Sequence, residues 1–146
     1  MAFDRQGTGL VLTRIGLGVF FLAEGIGKWR WLFEPQILVG QLTRWFEAAT
    51  PGSIPHTYLA KVAVPYAVIF ARLVPVGEMS AGLGMVLGIW TPFSAFVAFF
   101  MALNFHVASG AIFTRAFLTS GYGLPVLAPT LGLVFSGKRL PFSVRG

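Results

Sequence analysis

Glu78 stands at the centre of the apolar run 66–90, YAVIFARLVPVGEMSAGLGMVLGIW. A carboxylate is costly in hydrocarbon, so such residues face a bundle interior or a water-filled cavity and mark functional sites. Five other side chains could share its layer: Glu24, Arg72, Asn104, His106 and Tyr122. A carboxylate, an imidazole and a phenol held together can exchange protons near neutral pH. Such a set could bind a quinone head group, whose reduction consumes protons. The sequence shows no redox centre of its own, so electrons would come from a partner or a bound cofactor.

These residues need a scaffold that crosses a membrane. The 146 residues are 55% hydrophobic and 11% charged, where a soluble domain carries about 25% charge. Mean hydropathy is +0.76. A span takes roughly 20 apolar residues, so the length suits about four spans without a separate soluble domain. The chain therefore reads as one all-α membrane domain, 1–146, built as a four-helix bundle. Spans are expected at about 9–29, 66–90, 92–110 and 119–137.

The connections carry their own signals. Glu34-Pro35 looks like a helix start, and Leu38, Leu42, Trp45, Phe46 and Ala49 follow at helical spacing. The segment 35–49 is thus expected to be a short amphipathic helix in the interface. Trp29 and Trp31 mark the far end of the first span. Pro65 and Pro75 predict a kinked or irregular start to the second. Ser80, Gly84 and Gly88 form one small-residue row, Gly77 and Ala81 another, which can serve helix packing or docking. In Trp90-Thr91-Pro92, Thr91 can N-cap the third helix with Pro92 at its first position.

That short turn allows depth to be computed. Glu78 lies thirteen positions before Thr91 and Asn104 thirteen after it, so the two should sit level. His106 falls one short step further out, and Glu24 and Tyr122 reach the same band when counted from their own helix ends. Arg72 lies about 9 Å from Glu78 along its helix. Asn104 and His106, two apart, cannot both face one spot.

Each residue also has a structural alternative. Arg72 and Glu78 could be a buried ion pair that fixes register. Asn104 could be an interhelical hydrogen-bonding residue, and Tyr122 an interface aromatic. Glu24 and Lys28, four apart, suit a helical pair with Lys28 snorkelling outward; Arg14 could reach the near headgroups in the same way. His106 lacks a second histidine at its depth, since His56 lies in the outer loop, which argues against a bis-histidine haem.

Charge and cysteine content narrow the classes. The net charge is +6. The compact tail cluster Lys138, Arg139 and Arg145 places the termini in the cytoplasm. No basic stripe lies on a soluble face, so nucleic acid is not an expected partner. With no cysteine, disulfides, thiolate metal sites and iron–sulfur clusters are excluded. The first apolar run is longer than a signal-peptide core and lacks an A-x-A site, so it reads as a retained helix.

The segment Glu78–Gly88 (EMSAGLGMVLG) with Ile89-Trp90-Thr91 resembles the DoxX family of small membrane proteins and its relative DoxD. Arg14-Ile15-Gly16-Leu17-Gly18, Glu24-Gly25-Ile26-Gly27-Lys28-Trp29 and Leu103-Asn104-Phe105-His106 fit the same pattern, and the likeness covers nearly all of 9–136. Members often carry a basic residue just after the turn between helices two and three, where this chain has Pro92. The resemblance implies a four-helix membrane protein. It also implies a link to membrane oxidoreductases, since DoxD-like members form the small membrane subunit of thiosulfate:quinone oxidoreductase.

The expectation from all this is a membrane subunit of a quinone-linked oxidoreductase. Glu78, Asn104, His106, Arg72, Glu24 and Tyr122 would line its pocket, and quinone would be its cofactor. Its partners would be the lipid bilayer and a larger redox protein or further copies of itself, in a bacterial or archaeal cytoplasmic membrane. The rivals are an anchoring subunit with no site of its own and a small proton-coupled transporter.

Overall fold

A computed structural model of the chain describes residues 5–137 and 140–144. It is all-α among those residues. The helices are α1 (Arg5–Gly27), α2 (Gln36–Ala48), α3 (Ile54–Tyr58), α4 (Ala67–Leu87), α5 (Thr91–Ala108), α6 (Ala116–Thr119) and α7 (Leu124–Val134). Among the described residues, only α1, α4 and α5 are long and apolar enough to cross a membrane.

The buried positions of α1 explain how the bundle closes. Gly7, Val11, Arg14, Gly18, Phe21 and Gly25 recur at alternating spacings of four and three, and Lys28 extends the series. This is the seam of a helix that lies nearly along its partner. That partner is α4, its most extensive contact. The approach is close because glycines meet backbone. A Cβ on Gly82 would lie 2.6 Å from the Leu22 nitrogen, and one on Gly25 would lie 2.8 Å from the Met79 nitrogen. The other faces of α1 and α4 carry exposed Leu12, Val19, Ile26, Leu73 and Leu83, as suits lipid-facing surface.

α4 turns into α5 through Gly88, whose φ of +68° ends the helix while Ile89 N donates to Gly84 O at 2.8 Å. α5 packs on α4 and α7, and α7 also reaches α1. Phe21, Ala81, Met85, Ala98 and Val126 form the core these helices share. A second core lies around Trp31, Leu38, Leu42, Leu59, Ala67, Ala71 and Ala108.

Several expectations change. The fourth predicted span, 119–137, is not one helix: Ser120-Gly121-Tyr122-Gly123 separates α6 from α7, and α7 is about 16 Å long. Two glycines, and Pro125, which has no N–H to carry a helix through from the Gly121 carbonyl, explain the break. The irregular entry to the second span comes from a π-helical segment, Leu59–Ala63, and a turn at Pro65, while Pro75 lies inside an uninterrupted α4. Thr91 is the first residue of α5 and not its cap; Trp90 takes the cap position, and the Thr91 hydroxyl is buried without a partner.

The apolar side of α2 faces protein. Leu38 and Leu42 are buried against α4 and the π-helical segment. Trp31, expected at an interface, is buried in the second core, whereas Trp29 is exposed. Gly77 and Gly84 of the predicted rows face Met101 and Ser94 of α5, and Ser80 is exposed. Gly82, which meets the backbone of α1 at Gly18 and Leu22, belongs to neither predicted series.

Candidate functional site

The site grows from the end of the α1 seam. Glu24 lies in the last turn of α1, and Lys28 continues that turn with its amide donating to Glu24 O and Gly25 O. Gly25 sits between them and brings the backbone of α1 against Pro75 and Met79 of α4. Glu78 is thereby delivered to Lys28. Lys28 Nζ donates to Glu24 Oε2 at 2.8 Å, to Glu78 Oε1 at 2.9 Å and to Glu78 Oε2 at 2.8 Å. The rings of Phe105 and Trp31 lie 5.8 and 6.0 Å from the same ammonium, within range of a cation–π attraction.

Lys28 therefore does not snorkel outward; its side chain is 14% exposed. Nor is Glu78 paired with Arg72. Six residues on one helix point about 120° apart, and Arg72 is exposed, while Lys28 supplies the charge from α1. The three groups carry two negative charges and one positive when ionised. Glu24 is the more open of the two carboxylates, with its side chain 33% exposed against 9% for Glu78.

This cluster forms one wall of a cavity of about 450 Å³. Phe20 and Phe21 continue the wall along α1, and Ala102, Phe105 and His106 close it from α5. Ser120, Tyr122 and Val126 close it from the segment before and into α7. His106 is held in place by its Nε2, 2.7 Å from the Tyr122 carbonyl oxygen. A carbonyl oxygen only accepts, so Nε2 carries the proton and Nδ1 holds the lone pair in the neutral ring. The Tyr122 ring is tilted against Phe20 with centroids 5.8 Å apart.

Four of the six predicted residues, Glu24, Glu78, His106 and Tyr122, thus share one cavity. Asn104 and Arg72 do not line it. The depth argument places α5 correctly, since Ala102, Phe105 and His106 flank Glu78. Asn104 is two residues from both Ala102 and His106, about 200° round the helix, and faces the second core. There its Oδ1 accepts a hydrogen bond from Tyr58. Burial pushes the Tyr58 phenol above the ordinary tyrosine range, and Asn104 offsets part of that rise.

Sequence reasoning missed Lys28 as a site residue and Tyr58 altogether. Lys28 was legible in the Glu24–Lys28 spacing, but its reach to Glu78 depends on Gly25. Tyr58 had no signal, because nothing in the sequence marks that the end of α3 meets α5.

The other buried cation of the seam, Arg14, is 1% exposed and does not reach headgroups. Its Nη1 donates to Ser143 Oγ at 2.7 Å and its Nη2 to Phe142 O at 3.0 Å. Val144 N donates to Leu87 O at 3.1 Å, so residues 142–144 are folded back over α1 and α4. Lys138, Arg139 and Arg145, the predicted cytoplasmic cluster, lie outside the described residues. A further cavity of about 480 Å³, between the end of α2, the start of α3 and residues 108–114, has no charged wall.

No curated protein matches the chain, and no solved structure does. The family model of DoxX matches residues 9–111, most of the chain and nearly all of the α1–α4–α5 frame that builds the charged cluster. The protein is an integral membrane protein of the DoxX family.

Proposed function

We propose that the protein is the membrane subunit of a quinone-linked oxidoreductase, and that a quinone head group binds in the cavity beside Lys28. The observation that supports this reading is the cluster itself. One ammonium is held between two carboxylates on the wall of a cavity that also carries the rings of Phe20, Phe21, Phe105 and Tyr122 and the imidazole of His106. Aromatic walls suit a flat conjugated ring, and the carboxylates and imidazole can take up or release the protons that accompany quinone chemistry. The electron donor or acceptor belongs to a larger redox protein bound to this one, or to a further copy. In this reading α1, α4, α5 and α7 form a four-helix bundle in a bacterial or archaeal cytoplasmic membrane, with both termini in the cytoplasm.

The anchoring alternative relied on α2 and the small-residue rows as docking surfaces. Leu38, Leu42, Gly77 and Gly84 are instead spent on internal packing, which leaves that alternative with less support. The deciding experiment is purification in mild detergent from the native membrane, with extraction of quinones and mass spectrometry of bound proteins. A near-stoichiometric quinone in the wild type, lost in Glu78→Gln, is expected. A large redox partner with no quinone held by this subunit would overturn the pocket and restore the anchoring role.

A further inference from the structure

Within that reading, the hydrogen-bonding state of the cavity selects between the two redox forms of the ligand. Lys28 has three N–H donors, and three carboxylate oxygens already accept from it. The Nε2 proton of His106 is committed to the Tyr122 carbonyl. Every N–H on the side chains that line the cavity is therefore spent, among the described residues.

What remains is mostly acceptor capacity. Glu24 uses only Oε2, so its Oε1 is open, and Glu24 is the more exposed carboxylate. His106 keeps the Nδ1 lone pair. The hydroxyls of Ser120 and Tyr122 can turn to donate or accept, so they do not discriminate. An oxidised quinone offers two carbonyl oxygens and no donor. Its carbonyls can accept only from the Ser120 and Tyr122 hydroxyls, because recruiting Lys28 would take it from a carboxylate and leave a charged group short of its partner in a low-dielectric site. A hydroquinone offers two O–H donors that match Glu24 Oε1 and His106 Nδ1 without disturbing the cluster.

We infer that the cavity recognises an aromatic diol, the reduced form of the quinone, in preference to the oxidised form. This rests on the quinone-site reading above and names the redox state it takes. A hydrogen bond to a charged acceptor is strong enough to separate the forms by at least about tenfold in Kd.

The test uses the full chain in mild detergent, titrated calorimetrically under anaerobic conditions with 1,4-dihydroxynaphthalene and with 1,4-naphthoquinone. The reduced probe is expected to bind at least about tenfold more tightly. Glu24→Gln replaces one acceptor oxygen by an N–H donor and should shrink that preference while keeping the side chain's shape. Equal affinities, or tighter binding of the oxidised probe, would overturn the inference and leave the quinone pocket standing. Binding of neither probe to folded protein would overturn the pocket itself. Should Glu24→Gln fail to fold, His106→Phe tests the second acceptor, and an unchanged preference there counts against the assignment.

Discussion

Two cations on one helix face, Arg14 and Lys28, are buried in opposite ways. They lie fourteen residues apart on the α1 seam, so both point toward α4. Lys28 meets two carboxylates and borders a cavity. Arg14 meets no carboxylate among the described residues. Its bonds go to a backbone carbonyl and a serine hydroxyl, and its Nε has no partner. At Gly88, a Cβ would lie 2.2 Å from Arg14 Nη1, so no ligand-sized space adjoins it there. The difference teaches that burial of a charge is not itself a sign of chemistry. At Lys28 there is excess negative charge, a partly exposed carboxylate and room for a ligand. At Arg14 the cation is sealed and fastens Phe142 and Ser143 to α1.

The comparison can be broken first at Lys28. Lys28→Met leaves two carboxylates facing each other without a cation, and removing one partner of a buried pair costs about 3–5 kcal/mol. Unfolding in mild detergent should show that loss. The double variant Lys28→Met with Glu78→Gln should recover a substantial part of it, because one orphaned charge is removed as well. If the double variant is no more stable than the single one, the carboxylate–ammonium coupling assigned here is absent. Next in size is Gly82→Ala. The added methyl would stand 2.6 Å from the Leu22 nitrogen and 2.7 Å from the Gly18 oxygen. These are backbone atoms that cannot swing aside, so α1 and α4 must part at a cost of about 3 kcal/mol. Because the same seam brings Glu78 to Lys28, ligand affinity should fall with stability. A stable Gly82→Ala protein with full affinity would sever the proposed link between seam and site.

Arg14 sharpens the contrast from the other side. Arg14→Met removes the donors to Phe142 and Ser143 and should cost about 2 kcal/mol. Hydrogen exchange of residues 140–144 should rise, most clearly at Val144, whose amide is bonded to Leu87. Naphthoquinone and dihydroxynaphthalene affinities should stay at the wild-type level. A large change in either would show that the two cations form one system.

The sequence announced the frame better than the site. Apolar run length located α1, α4 and α5, and the short turn at Trp90-Thr91-Pro92 placed Glu78 level with the right turn of α5. Direction was harder. Depth along a helix follows from counting, but rotation about its axis depends on which neighbour comes close, and that was decided by Gly18, Gly25 and Gly82. Glycines with no visible row between two different helices cannot be recognised one helix at a time. For that reason Arg72 was matched to Glu78 from within the same helix, whereas the true partner came from α1. The fourth span was overread because an apolar stretch registers as length even where Gly121 and Gly123 interrupt it.

The smallest expected effect belongs to Tyr58 and Asn104, on the face of α5 turned away from the cavity. Tyr58→Phe removes one hydrogen bond to Asn104 and should cost about 1 kcal/mol. Binding of either naphthalene probe should be unchanged, since neither residue lines the cavity. Burial raises the Tyr58 phenol, with Asn104 offsetting part of the rise. As pH climbs past the ordinary tyrosine value of about 10, the unfolded chain therefore loses the proton first and the folded chain keeps it. The unfolded state then binds fewer protons, so stability falls with rising pH from that value up to the folded one. Below it the contribution is fully present. Tyr58→Phe has no proton to lose and should show a shallower decline over the same alkaline range. Equal slopes for wild type and variant would mean that the phenol is not held in the environment its burial against α5 implies.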